Sequence, residues 1–90
     1  MTVHNADHTL RLLGDLLEAL YAENGDYAIR QLKKLLPWLR QQGIEAVDYS
    51  PETADLFELL PTKRVSATQR PALVREGTLL LAGRATEHVD

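Results

Sequence analysis

Two histidines and an aspartate near the start of the chain have a spacing that could bind a metal ion. His4 and His8 are four residues apart with Asp7 between them, so on a helix the two imidazoles would point the same way. They lie among the first eight residues, where chain ends usually fray, and this position favours a solvated or capping role. We therefore expect neither a metal site nor a bound cofactor.

The sequence contains no arrangement that is typical of an enzyme. Gly-x-Ser-x-Gly, a phosphate loop, a dinucleotide fingerprint and HExxH are all missing. The serines Ser50 and Ser66 have no histidine beside them in sequence that could act as a base. A run of carboxylates is most often a solvated face, or otherwise a docking surface. Its members are Glu45, Asp48, Glu52, Asp55 and Glu58. We expect that the protein is not an enzyme.

A short basic segment follows that acidic run. It comprises Lys63, Arg64, Arg70 and Arg75, without interleaved aromatic residues, in a chain of formal net charge -3. A nucleic-acid interface usually needs aromatic platforms and a clear basic excess, so we expect no nucleic-acid partner. Contact with an acidic protein surface, or with the chain's own acidic run, fits this segment better.

Length and composition limit how the fold can be stabilised. A domain of 90 residues buries only about 60% of its unfolded surface, so its core is marginal without reinforcement. The absence of cysteine removes disulfides and thiolate metal sites and fits a reducing compartment. No basic and apolar leader and no apolar run of about 20 residues is seen, so we expect a cytoplasmic protein without membrane contact. Oligomerisation is the reinforcement that remains.

The first half of the chain predicts a helical hairpin. Residues 8 to 22 have helical apolar spacing with Asp7 as a possible N-cap, and Asn24-Gly25 predicts the turn. A second helix follows to about residue 42, where Gly43 ends it, and Pro37 predicts a kink or a short break inside it. The apolar stripes of the two helices have the same three-four-three spacing. They are Leu10, Leu13, Leu17 and Leu20, and then Ile29, Leu32, Leu36 and Leu39.

Two helices alone do not close a core, so we expect the hairpin to pair with a second copy as a dimeric four-helix bundle. The two stripes are the predicted dimer interface. Leu12 and Leu16 form a second stripe on the first helix, which widens the apolar face and supplies surface for that pairing. Packing of the hairpin onto the rest of the chain is the alternative. Trp38 is either a core or interface filler or a partner-binding hot spot.

The second half of the chain predicts a short helix and a small β element. Ser50 and Pro51 are typical of a helix start, and Pro61 closes that helix. Residues 72 to 74 and 78 to 81 flank a Gly-containing turn and predict a β-hairpin, although residues 79 to 81 also fit a buried helical fragment. The predicted fold is a single domain, mainly α with a small C-terminal β element (α+β). Its parts are a helical hairpin (8–43), a short helix region (44–61), a small β-wing (62–83) and a tail (84–90).

The order of these features resembles the GrpE family of nucleotide exchange factors. Leu12-Leu-Gly-Asp-Leu-Leu-Glu-Ala-Leu20 is similar to the first bundle helix of that family, and Gln42-Gly43-Ile44-Glu45-Ala46-Val47 is similar to the turn after the second. Tyr49-Ser50-Pro51-Glu52 stands where the family has Phe-Asp-Pro, and Gln69-Arg70-Pro71-Ala72-Leu73-Val74 resembles its Leu-Arg-Pro-Ala-x-Val. The family's long paired N-terminal helix and its His-Glu-Ala after Phe-Asp-Pro have no counterpart here.

The resemblance implies a homodimeric cochaperone that binds the nucleotide-binding domain of a DnaK-type chaperone and promotes ADP release. It places the partner contact on the β-wing. The implied contact residues are Arg70, Pro71, Leu73, Val74, Arg75 and Glu76. For Leu73 and Val74 the alternative is that they form the core of the hairpin. A dimeric helical adaptor without exchange activity is the alternative function.

Overall fold

Two helices are followed by six short strands. A computed structural model describes residues 2 to 90, with side chains from residue 8 onward. The helices are α1 (Thr2–Glu23) and α2 (Asp26–Gln41), and a 3₁₀ helix spans Pro51–Leu56. The strands are β1 (Glu45–Val47), β2 (Phe57–Thr62), β3 (Ala67–Arg70), β4 (Ala72–Arg75), β5 (Thr78–Leu81) and β6 (Gly83–His88).

The prediction of a mainly α fold, a helix bundle with a single β-hairpin, is wrong. The six strands form two three-stranded sheets, with the orders β1-β4-β5 and β2-β6-β3. Strands β2 and β6 run parallel, whereas the other neighbours are antiparallel. Only the β4–β5 hairpin was expected. Its first strand ends at Arg75, one residue later than predicted, and its second strand ends at Leu81, as predicted. The helices pack on these sheets and therefore form one layer of a two-layer domain.

The helical hairpin itself is confirmed. Its turn lies at Asn24, whose φ of 48° is the left-handed conformation that ends a helix, and α2 begins directly after Gly25. Gly43, with φ of 77°, follows the end of α2 as predicted. The expected break at Pro37 is wrong, because α2 continues through it to Gln41. The first helix starts at Thr2, so Asp7 lies within it and is not its N-cap.

The sequence patterns fail where parallel and edge strands replace the predicted helix and tail. Ser50 and Pro51 do start a helical turn, but the chain becomes extended at Phe57 and forms β2. Pro61 lies within that strand, which an edge strand tolerates because one of its sides needs no hydrogen bond. The predicted tail contains β6, the central strand of its sheet, and Ala85 in it is fully buried.

The core lies between the hairpin and the sheets. Leu17, Leu39, Ile44 and Leu73 form its buried centre, and partly buried leucines from both helices pack around them. Most of the predicted dimer interface is thus in the core of one chain. Leu17, Leu20 and Leu39 are buried, Leu10, Leu13, Leu32 and Leu36 pack against the core, and Ile29 is 43% exposed. The alternative, packing of the hairpin onto the rest of the chain, accounts for these stripes.

Two glycines allow the layers to approach. A Cβ on Gly14 would lie 2.5 Å from Cδ2 of Leu81 and 3.3 Å from Cδ of Arg70, so this residue lets α1 sit close to β5 and β3. A Cβ on Gly83 would overlap the ring of Phe57 and lie 2.7 Å from the carbonyl oxygen of Arg70. Glycine is therefore required at position 83 by packing rather than by backbone conformation.

Candidate protein-interaction surfaces

An apolar groove lies between the two helices of the hairpin and is lined by several of their exposed side chains. We call it the outer groove. It has a volume of about 480 Å³. Trp38 on α2 is 51% exposed beside it, and Leu16 on α1 is 48% exposed. Leu12, one turn before Leu16, extends the apolar surface along α1. The lining residues are Leu16, Leu20, Tyr27, Gln31, Lys34, Leu35 and Trp38.

The outer groove follows from helical spacing. Leu12 and Leu16 are four residues apart, and Tyr27, Gln31, Lys34 and Trp38 recur at four-three-four spacing, so each set shares one face of its helix. The second stripe on α1 was predicted to supply surface for a second copy, and the structure places it on the exposed side of the hairpin. Tyr27 was missed, although its spacing from Trp38 could have identified it.

Exposed charged residues of both signs lie on the two helices, and Lys34 lines the outer groove. Asp15 and Glu23 are exposed on α1, whereas Arg30 and Lys34 are exposed on α2. None of these four residues has an ion-pair partner among the described side chains. Exposed Arg11 on α1 and exposed Asp26 on α2 have the opposite signs, so α2 is mainly basic and α1 carries both charges.

The segment predicted to contact a partner is mostly inaccessible. Arg70 is 7% exposed, Pro71 and Leu73 are buried and Val74 is partly buried, because β3 and β4 lie against the helices. Of the predicted contact residues, these four are therefore mainly part of the core. Arg75 and Glu76 are exposed at the β4–β5 turn and remain available.

Arg70 instead holds the two layers together. Its Nη2 donates to the carbonyl oxygen of Ala82 at 2.7 Å, and its guanidinium lies 3.8 Å from both Glu18 and Glu58. Arg84 lies 3.5 Å from the same two carboxylates, so α1, β2, β3 and β6 meet in one charge network. Nε of Arg70 is buried without a hydrogen-bond partner. A buried arginine with this environment is a structural group, because its removal would leave the carbonyl oxygen of Ala82 without its donor and Arg84 as the one remaining partner, among the described residues, of the two carboxylates.

The residues of the acidic run lie on different elements, and two of them have structural partners. Asp48 accepts a hydrogen bond from the Tyr21 hydroxyl at 2.7 Å, and Glu58 belongs to the charge network. Burial, and then the hydrogen bond to Asp48, raise the pKa of Tyr21 well above its ordinary value. In the same way, the hydrogen bond to Glu87 is the main cause of the raised pKa of Tyr49. The first contact joins α1 to the loop after β1, and the second joins that loop to β6.

The other candidate groups also have structural surroundings. The side chains of His4 and Asp7 lie outside the described residues, and His8 is exposed. Ser50 caps the 3₁₀ helix, and Ser66 accepts a hydrogen bond from the amide of His88. Among the described residues, no group of three His, Asp or Glu side chains could hold a metal ion. In the same part of the chain, no helix has the length and apolarity needed to span a membrane.

The chain was compared with known protein families, curated proteins and solved structures, and none of them matches it. The resemblance to GrpE proteins therefore depends on the quoted segments alone.

Proposed function

We propose that this protein is a homodimeric, GrpE-like cochaperone that acts by protein contact and not by catalysis. The outer groove joins two copies. The part of the chain that forms the two sheets, residues 45 to 88, which we call the β domain, contacts the nucleotide-binding domain of a DnaK-type chaperone and promotes ADP release. The observation that carries the proposal is the apolar groove between the two helices, where Leu16 and Trp38 are about half exposed. A reducing, cytoplasmic location is part of the proposal.

The surface area of the single chain supports self-association. Its accessible surface is 6411 Å² at a mass of 10.1 kDa. A compact monomer of this mass exposes about 5,300 Å², so the chain exposes roughly a fifth more than expected. Half-exposed Leu16, Tyr27 and Trp38 contribute to that excess at one place, and contiguous apolar surface of this kind marks protein contacts.

Charge distribution favours a second copy as the occupant of the outer groove. In the two-fold arrangement that we propose, α1 of one copy lies against α2 of the other, and the acidic residues Asp15 and Glu23 of one copy pair with the mainly basic α2 of its partner. The symmetry repeats each pairing, and aromatic groups fill the centre. Charge pairs of this kind set the register of association, while burial of the apolar groove supplies most of its free energy.

Exchange activity requires no catalytic side chain. A factor that binds the open cleft of a chaperone better than the closed one lowers the affinity for ADP by the same coupling factor. The ordered segments that resemble GrpE proteins, and a β domain that is placed beyond the hairpin, support this part of the proposal.

The test combines assembly and exchange. Light scattering after gel filtration should give twice the chain mass, and stopped-flow release of a fluorescent ADP analogue from a DnaK-type chaperone of the same organism should accelerate when the protein is added. A dimer without binding and without acceleration would support the alternative, a dimeric adaptor with another partner. The lack of a family match favours keeping this alternative. A monomer would contradict both.

A further inference from the structure

The turn between β2 and β3 carries the most exposed large hydrophobic side chain among the described residues. Val65 is 85% exposed, and Lys63 and Arg64 precede it. We call residues 63 to 66 the basic turn. Neither Lys63 nor Arg64 has an ion-pair partner among the described side chains. Exposure of this apolar side chain to water, beside two unpaired cations, is unfavourable, and the side chain contributes nothing to the core.

The basic turn is held in place by hydrogen bonds to its base. The amide of Arg64 donates to Oγ1 of Thr62 at 3.1 Å, and the amide of His88 donates to Oγ of Ser66 at 2.8 Å. Nδ1 of His88 lies 3.0 Å from the carbonyl oxygen of Arg64, which can only accept, so Nδ1 carries the hydrogen. A turn fixed in this way loses little conformational entropy when it binds a partner.

A depression of about 500 Å³ lies at the basic turn. It is lined by Lys63, Arg64, Val65, Ser66 and His88. One acidic group lies close to this depression, since Oδ1 of Asp90 is 3.5 Å from Nε2 of His88. Along the sequence, no acidic residue occurs between Glu58 and Glu76. The surface therefore combines local positive charge with an apolar tip in a chain that is acidic as a whole.

We infer that the basic turn is the main docking element of the β domain, and that it recognises an acidic protein surface with an apolar recess. The inference rests on the proposed function, in which that surface belongs to the DnaK-type chaperone. A partner carboxylate pairs with Lys63 and Arg64 while Val65 enters the recess. A protein fits better than a nucleic acid, because the turn has two cations and no aromatic side chain for stacking.

The β4–β5 turn is the natural control for this inference. Nη2 of Arg75 is already bound to the carbonyl oxygen of Gln42 at 3.1 Å, and Glu76 next to it opposes its charge. Glu76 and Gly77 both have positive φ, so the tip is a tight turn without an exposed apolar side chain. It is also exposed but offers neither free positive charge nor an apolar tip.

The experiment measures binding to the full-length chaperone and ADP release for the whole chain and its variants. We expect Val65→Ser to weaken binding by about five- to tenfold and Lys63→Glu with Arg64→Glu by more than tenfold, with a flatter dependence on salt. Arg75→Ala should stay within about twofold of the unmodified protein, since it lacks these contacts. Circular dichroism and light scattering confirm that all variants remain folded and associate as before.

The outcomes separate the two proposals. Suppose that the unmodified protein binds the chaperone and accelerates ADP release. If the basic-turn variants do the same, or if only Arg75→Ala loses these activities, the docking inference is overturned and the proposed function remains intact. No binding by the unmodified protein overturns both. Salt-sensitive binding of a 30-nucleotide single-stranded DNA that the double charge reversal abolishes would assign the basic turn to nucleic acid and overturn its assignment to a protein.

Discussion

The two apolar stripes of α1 look alike in the sequence and have opposite roles in the fold. Leu13, Leu17 and Leu20 face the sheets and are partly or fully buried, whereas Leu12 and Leu16 face away and are about half exposed. Both stripes have helical spacing, so periodicity shows only that they are faces of one helix. The difference shows that a domain of this size can bury its most regular stripe in its own core and leave the less regular one exposed.

The largest expected effect comes from placing a charge in the inner stripe. Leu17→Asp buries an unpaired carboxylate at a fully buried position, and we expect a loss of more than about 4 kcal/mol, enough to unfold most of the protein. Loss of helical circular dichroism at 25 °C would show it.

The matched control is its neighbour in the outer stripe. Leu16→Asp at a half-exposed position should keep the fold and abolish the dimer in light scattering. If both variants unfold, or if the Leu16 variant remains a dimer, the assignment of inner and outer faces is wrong.

Among the packed residues of the sheets, the addition of a single methyl group should also lower the stability of the fold. Gly83→Ala places a Cβ against the ring of Phe57 and 2.7 Å from a backbone oxygen that cannot move freely. We expect a loss of about 1–3 kcal/mol in the free energy of urea unfolding.

Gly25→Ala is its control, because a Cβ there meets nothing closer than 4.0 Å. An effect of Gly83→Ala no larger than that of the control would mean that the sheet and the 57–62 strand adjust easily.

On the outer side, the expected loss is in association and not in folding. Trp38→Ala should weaken the dimer by about 2 kcal/mol, or roughly 30-fold, because it removes the largest aromatic group of the outer groove. Its unfolding measured as a monomer should change little, since Trp38 is half exposed. Sedimentation across a concentration series would measure the shift, and an unchanged dissociation constant would place the dimer contact elsewhere.

The smallest effect concerns the contact between the end of α1 and the loop after β1. The pKa of Tyr21 is raised in the folded state, mainly by burial and then by its hydrogen bond to Asp48. The stabilising effect is complete below the ordinary tyrosine pKa, about 10, and is lost as pH rises above it, because the unfolded chain then releases the proton first.

Tyr21→Phe should therefore lose less stability than the unmodified protein between pH 9 and about 11. Thermal melts of the two proteins across this pH range measure the loss of stability in each. If the melting temperatures of the two proteins change in parallel with pH, the hydroxyl contact contributes nothing to stability.

The hairpin was predictable because its signals are local. Asn24 and Gly25 end one helix and Gly43 the next, and apolar spacing identifies every face. The second sheet was not predictable from such signals, since β2 pairs in parallel with β6 across more than twenty residues and its Pro61 is typical of a helix end. The candidate site was only half visible for the same reason. The stripe of Leu12 and Leu16 was found, but Val65 carries no periodic signal.

The sequence by itself determined the presence of the two helices, the turn between them, the cap at Ser50 and the mildly acidic, cysteine-free character of the chain, but not the start of α1, which lies before the predicted Asp7 cap. All of these depend on neighbouring residues or on composition. Only the tertiary structure decided which apolar stripe is buried and that Arg70 lies inside the domain, because burial depends on which distant strands pack against each helix. The same packing leaves Trp38 and Val65 exposed on the surfaces that we assign to partners.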